Sequence, residues 1–149
     1  MNRIKETKLT LVMTVVLLLG SSIDLWAIET VRVRPRRISI QQGDGAALLV
    51  IARAFPPAPD RYLGDLDVTE LPPGVTPTFV PDALGFPDRG YLFLDVDPKA
   101  PVGNYHIRVI GDVYEGENII RSIRSSTIML EIQGPISPNK PGSRKGRRR

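Results

Sequence analysis

The chain of 149 residues contains no cysteine. That removes disulfides, thiolate metal ligation, thiol nucleophiles and lipid attachment through an acylated cysteine. An exported form must therefore hold its fold by burial and hydrogen bonding. Only one histidine is present, so a Ser-His-Asp relay or a histidine metal centre would have a single imidazole to draw on. His106 alternates with Tyr105 and Ile107, which turns it away from the core face of a strand. Phosphate-binding loops are missing too. Gly43-Asp44-Gly45 leads from one strand into another, with no helix N-terminus to receive an anion, and reads as a hairpin turn.

Long hydrophobic runs are as scarce, with one exception near the start. Arg3, Lys5 and Lys8 precede an apolar run from Leu9 to Gly20. A basic start, a short apolar run and a more polar end have the layout of a secretory signal. The run is shorter than the roughly 20 residues of a spanning helix. Residues 1–27 are therefore expected to be a signal peptide cut after Ala27, or else an uncleaved N-terminal anchor. Both place the rest of the chain outside the cytoplasm, in the periplasm or at the cell surface.

Charge is unevenly spread. Residues 28–134 carry eleven basic and fourteen acidic side chains, whereas residues 135–149 carry six basic and none acidic. The pI of about 9.7 thus comes from the tail, and a basic nucleic-acid face on the domain is disfavoured. Apolar residues make up 42% of the chain, enough for a core. The tail, Pro-, Gly- and Ser-rich before it turns basic, is expected to stay disordered.

Between Thr30 and Gln133 the apolar period is two. Val31 and Val33 alternate with arginines until Pro35 interrupts, and Ile38 and Ile40 resume, as an edge strand does when it crosses between sheets. Leu48, Val50 and Ala52 alternate with Leu49, Ile51 and Arg53, a pattern apolar on both faces and expected of a central strand. Further strands follow at Gly64–Glu70, Val75–Val80, Arg89–Asp97 and from Tyr105, with a last one running to Ile132. With 14 Pro and 13 Gly punctuating them, these strands predict an all-β, immunoglobulin-like β-sandwich of about seven strands. Two corners organise it. Leu71-Pro72-Pro73-Gly74-Val75-Thr76 needs Gly74 for a positive φ. Pro101-Val102-Gly103-Asn104-Tyr105 places Tyr105 where such folds bond a tyrosine hydroxyl back across a corner.

Gln42-Gly43, the Leu71–Thr76 corner and Ala100-Pro101-Val102-Gly103-Asn104-Tyr105, in that order, resemble bacterial Ig-like modules of secreted and surface proteins. Among these are modules appended to glycosidases and peptidases, such as the α-galactosidase-associated type. The resemblance covers residues 30–133 and rests on turn chemistry. It implies a non-catalytic spacer or adhesive unit, with no cofactor.

The candidate sites follow from what remains. Asp65 with Asp67, and Asp95 with Asp97, are carboxylates two apart on strands that could offer oxygen to Ca²⁺, although no calcium-loop pattern surrounds them. No catalytic, cofactor or metal residue is assigned. The segments Phe55–Tyr62 and Ala83–Phe86 are the expected contact loops for an envelope protein. Lys140, Arg144, Lys145, Arg147, Arg148 and Arg149 are expected to attract an anionic polymer or membrane surface. The function expected is a non-catalytic binding or assembly module of the bacterial envelope. The alternative is a periplasmic chaperone-like factor that binds client strands by β-augmentation.

Overall fold

The computed structural model describes residues 27–135. The expected signal segment, apart from Ala27, and the six basic side chains of the tail lie outside the described residues. Among the described residues there are ten strands and no helix: β1 (Ile28–Arg34), β2 (Arg37–Gln41), β3 (Gly45–Phe55), β4 (Arg61–Thr69), β5 (Val75–Val80), β6 (Leu84–Gly85), β7 (Asp88–Val96), β8 (Gly103–Glu115), β9 (Asn118–Arg124) and β10 (Ile128–Gln133). They form a four-stranded sheet, β1-β3-β7-β5, and a six-stranded one, β2-β10-β8-β4-β6, with β9 also paired to β8. Taking β1/β2 and β9/β10 each as one divided strand, this is the strand order of an immunoglobulin-like sandwich.

The count exceeds seven for physical reasons. Pro35 has no N–H to give a ladder. β1 therefore leaves β3 at Arg34, and the chain resumes as β2, parallel to β10 in the other sheet. The final strand, expected to be continuous, is instead divided at Ser125. That buried residue takes the place of a ladder pair opposite Val109. Its N–H donates to the Val109 carbonyl at 2.8 Å, and its hydroxyl accepts from the Val109 N–H at 3.1 Å. β6 is a two-residue bridge on β4.

Alternation then fills the space between the sheets. Leu48 and Val50 of β3, Leu92 and Leu94 of β7, Ile107 and Val109 of β8, and Leu130 of β10 are fully buried. β3 is indeed interior, between β1 and β7. Pro77 sits in β5, an edge strand, where a missing N–H costs no ladder bond on the open side.

The two turn motifs meet at one end of the sandwich. Gly74 has φ +77°, and a Cβ there would lie 3.2 Å from Cβ of Asp97 and 3.3 Å from that of Ala100. Its carbonyl accepts the Asp97 N–H at 2.8 Å, and Gln42 Nε2 donates to the Ala100 carbonyl at 2.5 Å. Gly103 opens β8, and the Tyr105 hydroxyl donates to the Pro101 carbonyl at 2.9 Å. This single neutral bond is half exposed, so Tyr105→Phe is expected to cost about 1 kcal/mol in urea unfolding.

A buried charge ties β1 to the opposite sheet. Glu29 points inward with Val31 and Val33, and its side chain is wholly buried. Arg61 of β4 contacts Glu29 Oε1 at 2.6 Å and Glu115 at 3.0 Å. Arg121 of β9 pairs with Glu29 Oε2 and donates to the Ala27 carbonyl at 3.0 Å. The carboxylate is thus met from both sides, which is what allows a charge to be buried.

Candidate functional site

One face of the four-stranded sheet lines the core; among the described residues, nothing covers the other. Across that open face the register sets Arg34, Leu49, Tyr91 and Val80 side by side. A second row holds Ala47, Phe93 and Thr78, and a third Arg32, Ile51 and Arg89. Tyr91 is 53% exposed, Val80 51% and Phe93 39%. The Tyr91 and Phe93 rings lie 6.3 Å apart at 41°. Arg32, Arg34, Arg53 and Arg89 border these apolar groups, all exposed and outside the ion pairs formed among the described residues.

Period-two alternation should place polar groups on an outward sheet face. Here two aromatics, a valine and two aliphatics of β3 sit there instead, bordered by arginines along β1 and at one end, with Asp95 at the other. Tyrosine and arginine are the side chains most enriched where proteins bind proteins, and a contiguous apolar patch rimmed by charge marks such a surface. The domain is net acidic, yet this face is basic. It therefore favours a partner with an acidic rim.

A different surface lies at the far end of the other sheet. Tyr62 of β4 and Tyr114 of β8 are cross-strand partners whose rings stack 4.9 Å apart and 5° from parallel. They lie over Gly64, where a Cβ would come within 3.2 Å of Tyr114 and 3.3 Å of Tyr62. Just beyond, the register of β4 on β8 slips by one residue between Gly64 and Asp67. The slip is a β-bulge, and Asp65 takes φ +45° within it. Left-handed backbone at a non-glycine residue is the device by which a bulge re-aims a side chain. The re-aimed Asp65 accepts a hydrogen bond from the Tyr114 hydroxyl.

That bond to Asp65 raises the Tyr114 pKa from 10.0 to about 12, with partial desolvation and the negative charges of Asp65 and Asp112 acting in the same direction. Stability from this bond is present below the ordinary tyrosine pKa and is lost as pH rises through about 12. An ultraviolet titration should show a late tyrosine step, near pH 12, from Tyr114. In Asp65→Asn that late step should move back toward 10.

The sequence-derived sites fall as follows. Phe55 and Tyr62 are exposed, Phe55 at 78%, but Ala58 between them is buried. Ala83–Phe86 is not a contact loop: Leu84 and Phe86 are in the core, drawn there because β6 bridges to β4. His106 is exposed. The carboxylate pairs are used locally. The bulge separates Asp65 from Asp67, whose Oδ1 accepts the Val68 N–H, and Asp97 accepts the Lys99 N–H. Pro101, Gly103, Tyr105 and Gly74 gather at the corner end, away from both surfaces. The Tyr91–Phe93 face was missed, although the alternation of Leu92 and Leu94 on the opposite side already placed it outward.

No protein-family model matches the chain, and no curated protein matches it. Solved structures match the fold. Domains 1–6 of the surface layer protein SbsC align with a TM-score of 0.50 at 12% identity, over 75% of this chain and 14% of that one. Domains 4 and 5 of the S-layer protein SbsC align with a TM-score of 0.45 at 13% identity, over 71% and 53%. The chain thus spans about a seventh of the first of these structures. Likeness at this identity establishes the β-sandwich fold.

Proposed function

We propose that this chain is an exported, non-catalytic module that binds or assembles with a protein of the bacterial cell envelope, using the open face of its four-stranded sheet. The observation that carries the reading is the pair Tyr91 and Phe93, held outward on an interior strand near four arginines. Aromatics exposed on a sheet add nothing to the core, whereas in an interface they become its anchors. The sandwich domains of surface layer protein SbsC, which share the fold, suit such a role, and Arg3, Lys5 and Lys8 before the apolar run from Leu9 to Gly20 suit export.

Copurification of the exported form tests the proposal. An envelope protein is expected to be retained, and reversal of charge at Arg53 and Arg89 should weaken its capture and remove its salt dependence. Recovery of the chain in the cytoplasm, or robust turnover by the purified protein in a hydrolase screen, would overturn it.

A further inference from the structure

Along one long edge of the sandwich, β1 of the four-stranded sheet lies beside β9 of the other sheet. Arg121 holds them together through its ion pair with Glu29 and its bond to the Ala27 carbonyl. Between the two strands runs an open cleft of about 400 Å³, lined by Arg32, Arg36 and Arg124 and by the hydroxyl residues Thr30 and Ser126. The one carboxylate in the lining is Glu29, which is wholly buried and already met by Arg61 and Arg121. A second depression, of about 480 Å³, shares Arg32 and Arg36 and adds Arg34. Arg124 also borders Asp65 and Asp112 on its other side, but those carboxylates accept hydrogen bonds from Tyr114 and Ser122. None of Arg32, Arg34, Arg36 and Arg124 enters an ion pair formed among the described residues.

These cations come from segments distant in sequence, and each stands on backbone fixed in a ladder. Arg32 is paired with Ile51 and Arg124 with Ile110, and the Arg36 carbonyl accepts the Met129 N–H at 2.8 Å. A domain that is net acidic thus gathers four of its eleven basic residues around one cleft. Like charges held together repel, and an anion between them removes that cost. A single carboxylate would bring one negative charge to three guanidinium groups. Phosphate brings up to two and linked phosphates more. Their oxygens accept the guanidinium fork bidentately and keep lone pairs for hydroxyl donors such as Thr30 and Ser126.

The geometry points to a binding site, in the cleft between β1 and β9, for a phosphorylated ligand carrying at least two negative charges. Arg32, Arg36 and Arg124 hold its phosphate oxygens. The same chemistry recognises a soluble phosphorylated molecule and a phosphate headgroup at a membrane surface. The site shares Arg32 with the border of the open face but uses neither Tyr91 nor Phe93, so its failure leaves partner capture by that face to be judged separately.

Amide NMR of the exported protein, tail included, tests the site by titration with inorganic pyrophosphate at an ionic strength held constant with sodium chloride. Saturating shifts are expected at Thr30, Arg32, Arg36, Arg124 and Ser126, together with a rise in the unfolding temperature. Arg36→Ser/Arg124→Ser should weaken binding at least about tenfold while the amides of the core stay where they are. Arg124→Lys keeps the charge without the fork and should fall between the two. Tyr91→Ser/Phe93→Ser should bind as the wild type does. Vesicles of phosphatidylcholine with phosphatidic acid form the second arm. Weaker retention of the Arg36→Ser/Arg124→Ser protein assigns the phosphate to a headgroup, and equal retention alongside its lost pyrophosphate binding assigns it to a soluble ligand. Pyrophosphate shifts confined to residues 140–149, or equal pyrophosphate binding by the double variant, would overturn the site. So would polyglutamate binding in the cleft as tightly as pyrophosphate, which would mark it as a contact for acidic peptide instead.

Discussion

Replacing Arg61 and Arg121 together by alanine should destabilise the sandwich by about 3–5 kcal/mol. Neither arginine is deeply buried; their side chains are 24% and 41% exposed. The cost comes from what they leave behind. Glu29 is wholly buried, and without both partners its charge stays in the interior uncompensated. Each single substitution should cost much less, because the other guanidinium still meets the carboxylate, so the two effects should be strongly non-additive. Adding Glu29→Leu removes the stranded charge and is expected to restore at least about 2 kcal/mol. Urea unfolding of the wild type and these four variants measures all of this. Additive single effects, or no rescue by leucine, would show that Glu29 is not held as described.

Leu92→Ala is the other large effect, about 3–5 kcal/mol. Leu92 is fully buried at the centre of β7, between Leu48 of β3 and Phe79 of β5. Its removal opens a cavity in sheet-bound walls that cannot collapse. One residue earlier the result should reverse. Tyr91 is 53% exposed on the opposite side, and Tyr91→Ser is expected to cost under about 1 kcal/mol. An aromatic that can be deleted at so little cost to stability is held outward for some other purpose.

Much of the fold was legible because period-two alternation and turn residues are local. Pro35 announced the sheet change, Gly74 the positive φ, and Leu48 to Arg53 a strand with sheet on both sides. What escaped depends on partners distant in sequence. Glu29 lies in register with Val31 and Val33, so its inward direction was readable, but Arg61 and Arg121 come from strands that only the closed sandwich brings to it. The bulge at Asp65 has no sequence mark beyond the small residue Gly64 before it. Ser125 interrupts a strand by mimicking a backbone pair, which an apolar pattern cannot reveal. Leu84 and Phe86 looked like loop contacts because a two-residue bridge has no periodicity to read.

Site legibility divided in the same way. Turn chemistry drew attention to the corners, which the sandwich uses to close one end. The open face was present in the alternation of Tyr91 and Phe93 with Leu92 and Leu94. It became a surface only when β1, β3 and β5 were set beside β7, adding Arg34, Leu49 and Val80 to the same row.

The open face is tested most directly by comparing envelope proteins retained on immobilised wild type with those retained on Tyr91→Ser/Phe93→Ser, after unfolding curves have shown both to be folded. A partner held by the wild type should be lost from the variant by at least about tenfold. Equal retention of the same partner by both proteins would contradict the account.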